Sequence, residues 1–216
     1  FAGVLARRLV LRDNTMHTLV GYGFSGATLS EMDVGGLWAL RVVESWAFAG
    51  VTLATSAVVD LSGVGISRID ASAFEGLKCG SVWLQHNNVT MLPSGAFHGV
   101  QLSGDIVLSG SAVNVVQPGA FLDAVVHGSL HLDGNPLAEL QTGSLGNMSI
   151  GADLNLSRSS HLGVLPARFA AHTQVNGSVF VSNCSRLSSV QTNAFQGLSV
   201  FGGSVVLTLN PRIATI

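Results

Sequence analysis

Ser129, His131 and Asp133 alternate along one short stretch, and they are the residue types of a hydrolytic triad. Alternation along a strand puts them on one face with Cβ atoms ~7 Å apart, too far for a nucleophile–base hydrogen bond without distortion. The other histidines (His17, His86, His98, His127, His161 and His172) are scattered, and no HExxH or CxxC spacing occurs. Asp33 and Asp60 offer two carboxylates to a Ca²⁺ ion, which takes about six or more oxygens. No glycine-rich stretch matches a phosphate or dinucleotide loop. The sequence therefore points to no catalytic residue, no metal site and no cofactor.

A different chemistry is better represented. Asn-x-Ser/Thr occurs at Asn88, Asn147, Asn155, Asn176 and Asn183. The Asn, Ser and Thr content makes roughly two such triplets expected by chance, so five point to N-glycans and the secretory pathway. Cys79 and Cys184 are too few for a disulfide framework. Charged residues are only 10% of the chain and its formal charge is -2, which gives no basic footprint for nucleic acid. No apolar run is long enough to span a membrane. The chain carries no initiator Met and no signal-peptide pattern, and reads as part of a longer protein.

The elements that would position these residues repeat. In "VWLQHNNVTMLPSGAFHGV" (82–100), apolar residues stand at 82, 84, 89 and 92, with Asn87 after the first pair and Phe97 at the end. The same spacing fits Leu9–Phe24, Val59–Phe74, Ile106–Phe121 and Leu130–Leu145. With one inserted residue it fits Met32–Phe48, Leu154–Phe169, Val179–Phe195 and the unit from Val205 to Ile216. The closing hydrophobe recurs at 1, 24, 48, 74, 97, 121, 145, 169 and 195. Two apolar residues flanking a variable one make a short half-buried strand, and the Asn marks the turn that follows. A buried amide there bonds backbone groups of its own coil and its neighbour, so successive Asn residues build a ladder. One coil cannot bury its own face; a stack can.

These units, notably "LVLRDNTMHTLVGYGF" and "LHLDGNPLAELQTGSL", resemble the 24-residue extracellular leucine-rich repeat over essentially the whole chain, 1–216. The Gly-Ser-strand signatures "HGSL", "NGSV" and "GGSV" and the "NPRI" segment are similar to the receptor L-domain, a related solenoid. The resemblance implies one uncapped α/β solenoid, a right-handed coil with short parallel strands on a concave face and a mostly irregular convex side. Leu37, Val64, Ser111, Ser159 and Cys184 replace the family's Asn.

On that frame the residue between each pair of core hydrophobes faces the concavity: Val10, Asp33, Asp60, Trp83, Val107, His131, Asn155, Phe180 and Val206. Asp105, Asp133 and Gln85 flank this column. Trp83, Asp33, Asp60, Gln85, Val107, Asp105, His131, Asp133 and Phe180 are therefore the expected contacts for a protein or peptide ligand, with Trp83 the strongest anchor. Trp38 and Trp46 are expected to pack in the outer arc. Cys184 should be a buried thiol, and Cys79 lies too many coils away to pair with it. The expectation is a non-catalytic recognition or adhesion module of a secreted or cell-surface receptor-like protein; a glycosylated structural spacer is the alternative.

Overall fold

In the computed structural model, which describes residues 1–214, the chain is a parallel β-solenoid of about 8 turns of ~24 residues. Nine passages of the inner strand bound these turns, which accounts for nine units read from the sequence. Ile216, the last residue of that pattern, lies outside the described residues.

Each coil carries three short strands, and each strand stacks on its counterpart in the next coil. The first sheet runs through Lys78–Cys79, Gln101–Leu102, Val125–Val126, Ser149–Ile150, Gln174–Val175 and Ser199–Val200. The second runs through Val58–Asp60, Ser81–Trp83, Ile106–Val107, Leu130–His131, Leu154–Asn155, Val179–Phe180 and Val205–Val206. A third is laid down in segments, from Thr18–Leu19 through Met91–Leu92 to Ser189–Val190. In the first two coils the first and second sheets merge into the longer strands Leu5–Val10 and Thr28–Asp33.

This corrects the expected α/β fold. No described residue is helical, and the supposedly irregular outer side holds two further parallel ladders. The reason lies in the backbone of the segment around each closing hydrophobe. Left-handed φ recurs in pairs four residues apart: Tyr22 and Gly26, Trp46 and Gly50, Ser72 and Gly76, Gly95 and Gly99, Gly119 and Asp123, Gly143 and Asn147, Arg168 and His172, Asn193 and Gly197. Only three residues remain between such breaks, fewer than one turn of an α-helix.

The interior follows the repeat. Val82, Leu84, Val89, Leu92 and Phe97, with their counterparts in neighbouring coils, are fully buried. Phe24, Phe48, Phe74, Phe97 and Phe121 stack with ring centroids 5.0–5.2 Å apart. Such pairs contribute about 0.5–1.5 kcal/mol each beyond area burial. Leu145 ends the stack. Phe169 does not rejoin it: Leu145 N–H donates to Phe169 O, as Phe24 N–H does to Ala47 O, so Phe169 stands in the preceding alanine's place and Ala170 in the phenylalanine's. Phe169 then meets Phe195 edge-on, at 75°.

The amide ladder forms as expected. Asn87 is buried, accepts from Gly65 and Ile66 N–H, and donates to Leu61 and Leu84 O, all at 2.8–2.9 Å. Asn135 repeats the pattern, with Val113 N–H as donor and Leu108 and Leu132 carbonyls as acceptors. Where Asn is replaced, Ser111 and Ser159 hydroxyls donate to Leu84 and Leu156 carbonyls, and the Cys184 thiol to Leu156 O.

Candidate recognition surface

The second sheet presents one residue per coil outward, between two that enter the core. Its register pairs Asp60 with Trp83, Trp83 with Val107, Val107 with His131, His131 with Asn155, and Asn155 with Phe180. Trp83 is 36% exposed while Val82 and Leu84 on either side are fully buried. Val107, His131, Asn155 and Phe180 are half-buried along the same column. The structure thus brings Asp60, Trp83, Val107, His131 and Phe180 onto one continuous face.

The flanking acids have another task. At the corner before this sheet, each coil's side chain accepts a backbone N–H of the next. Asp105 N–H donates to Ser81 Oγ, Ser129 N–H to Asp105 Oδ1, Asp153 N–H to Ser129 Oγ, and Ser178 N–H to Asp153 Oδ1, at 2.7–3.1 Å. Asp105 is a rung of the fold, and Ser129 is held in the same row. Asp133 is buried, accepts from Ser109 Oγ at 2.6 Å and pairs with Arg158, while His131 Nδ1 lies 3.9 Å from its Oδ1. Gln85 is half-buried, and its Oε1 is covered with no hydrogen-bond partner.

The glycines at this corner, unlike those of the turns, have ordinary φ but no room. A Cβ on Gly128 would stand 2.7 Å from Gly104 C and against Asp105 Oδ1; one on Gly80 would stand 2.5 Å from Ala57 O. The "HGSL"-type signature is therefore a close approach between coils.

Asp33 belongs to the same column but not to the same ladder. Thr28–Asp33 pairs with Leu5–Val10 and, on its other edge, only through a bridge from Thr28 to Thr52, while Val58–Asp60 pairs with Ser81–Trp83, so Asp33 and Asp60 are not hydrogen-bonded neighbours. Asp33 is clamped by Arg8 and Arg12, each 3.6 Å away. Among the described residues no three His, Cys, Asp or Glu side chains converge as metal ligands. The clamp and the break in the ladder escaped sequence reasoning. Their one signal is the long interval from Phe48 to Phe74.

Asn88, Asn147, Asn176 and Asn183 are exposed in turns or at strand ends, whereas Asn155 is half-buried with its Oδ1 accepting Ser157 N–H at 3.0 Å. Asn147 donates from Nδ2 to Asp123. Both thiols are free and buried. Burial pushes Cys79 up to about 12 and raises Cys184, whose contacts with backbone groups of Ser159 and Arg158 act the other way. Trp38 is 69% exposed, against the packing role expected of it; Trp46 is 41% exposed and stacks on Tyr22 at 5.3 Å.

The class defined by these ladders is a three-sided parallel β-solenoid. No family model matches the sequence, and no curated protein matches it either. No helix among the described residues is long and apolar enough to cross a membrane.

Proposed function

We propose that this solenoid is a non-catalytic recognition module of a secreted or cell-surface protein, and that the second sheet receives a protein or peptide partner. One observation carries the reading: Trp83 stands outward on the second sheet, held by buried neighbours on both sides. An indole so fixed gives large contact area at little rotamer cost, as binding hot spots do. Val107, His131 and Phe180 extend the contact along the column. Paired surface variants test it. Trp83→Ala or Val107→Arg abolishes saturable binding of a partner, while Val115→Arg, outward on the third sheet, leaves it intact. Equal loss from all three variants argues against a second-sheet site.

A glycosylated spacer is the second reading, favoured by the exposure of four of the five sequon asparagines. A spacer binds no partner saturably and tolerates a glycan at Asn155, between His131 and Phe180.

A further inference from the structure

Asp33 and Asp60 occupy equivalent places in successive coils, and their surroundings differ in a way that points to a ligand. The chain takes three more residues from Thr52 to Asp60 than from Thr28 to Asp33. The surplus leaves the strand path as a turn closed by Ala57 N–H donating to Ala54 O at 2.9 Å. Beside it, where the ladder is interrupted, lies a crevice of about 370 Å³ lined by Arg8, Arg12, Glu31, Asp33, Ser56 and Asp60.

The charges in this crevice do not cancel. Arg8 lies 3.2 Å from Glu31 and 3.6 Å from Asp33, and Arg12 lies 3.6 Å from Asp33 and 3.9 Å from Asp13. Asp60 pairs with no cation among the described residues. Its Oδ1 accepts Ser62 N–H at 3.0 Å and Ser62 Oγ at 2.6 Å, and among the described residues no hydrogen bond engages Oδ2. Directly across the ladder from Asp60 is the exposed indole of Trp83. A carboxylate without a cation, beside an exposed π face, is short of one thing: a cation rich in N–H groups.

We propose that the crevice between Asp33 and Asp60, with Trp83 on the strand beyond Asp60, is a socket for an arginine or lysine side chain of the partner protein. The inference rests on the recognition reading above and adds the partner's chemistry to it. Asp60 supplies the countercharge and Trp83 the cation–π face, while the Asp33 clamp holds Arg8 and Arg12 back from Asp60.

The test is an NMR titration of the ¹⁵N-labelled chain with acetyl-Gly-Arg-Gly-amide and with the same peptide carrying citrulline, which keeps the shape and loses the charge. The Trp83 indole N–H shifts saturably with the arginine peptide, and the citrulline peptide binds about tenfold more weakly or not at all. Asp60→Asn keeps an acceptor for Ser62 and so the local fold, which unmoved Trp38 and Trp46 indole signals verify; it abolishes the shift. Equal binding of both peptides, or wild-type binding by Asp60→Asn, overturns the socket. A partner lost with Trp83→Ala but kept with Asp60→Asn leaves the recognition reading standing and removes the socket alone.

Discussion

The first three passages of the second sheet and the four that follow are the same repeat built two ways. Between Ser81 and Ser178 a glycine or alanine sits at the corner, side chains of Ser and Asp bridge coil to coil, and every strand pairs on both edges. Between Leu5 and Asp60 the corner is missing or displaced, Asp33 is held by arginines instead of a backbone rung, and the ladder breaks. The comparison teaches that regularity here is set at the corners. Core hydrophobes fill both regions; the corner chemistry differs, and the irregular region is where Asp60 is left without a cation among the described residues.

Substitutions sharpen that contrast. The largest effect is expected at the amide ladder. Asn87→Ala removes four hydrogen bonds, orphaning Gly65 and Ile66 N–H and Leu61 O, while Leu84 O keeps Ser111 Oγ; it should cost about 3–5 kcal/mol in urea unfolding. Asn14→Ala in the exposed first coil, where one bond to Leu11 O is lost, should cost less than about 1 kcal/mol. Similar costs would show that the two regions are not built differently.

Next comes the corner itself. Gly128→Ala forces a methyl against Gly104 and Asp105 and should cost about 1–3 kcal/mol. Gly35→Ala, whose nearest neighbours stand 3.5 and 3.6 Å away, should stay within about 0.5 kcal/mol. Thermal unfolding of the two variants checks the pair.

A smaller, pH-dependent effect marks the start of the regular region. Cys79 is raised in the folded chain to about 12, so between its ordinary range and that value the unfolded chain has lost a proton the folded chain keeps. Its contribution is whole below about pH 8.5 and is lost as pH rises toward about 12. Stability of Cys79→Ala should therefore fall less steeply over that window, and neither native thiol should react with a disulfide reagent until the chain unfolds. A native Cys79 that reacts at neutral pH contradicts this. A small stability change is expected of Trp83→Ala: removing a partly exposed indole should cost about 1 kcal/mol even where binding is lost.

Much of this was legible in the residues. The spacing of Val82, Leu84, Asn87 and Phe97 placed the buried stripes, the amide ladder and the outward Trp83, because core periodicity is a property of single residues. The third sheet and the absence of helix were not legible from the resemblance. They depend on left-handed φ at Tyr22, Trp46, Ser72 and Arg168, residue types that do not announce it. The binding face was half legible. Asp105 and Asp133 looked like surface acids because their partners, Ser129 N–H, Ser109 and Arg158, lie a full coil away. The exposure of Trp38 and the displacement of Phe169 likewise depend on neighbours that spacing alone does not reveal.

Glycan mapping by mass spectrometry on the protein expressed through a secretory pathway tests most directly whether the second sheet is kept open for a visitor. Occupied Asn88, Asn147, Asn176 and Asn183 with a bare Asn155 is the predicted result. A glycan on Asn155, standing between His131 and Phe180, would contradict it.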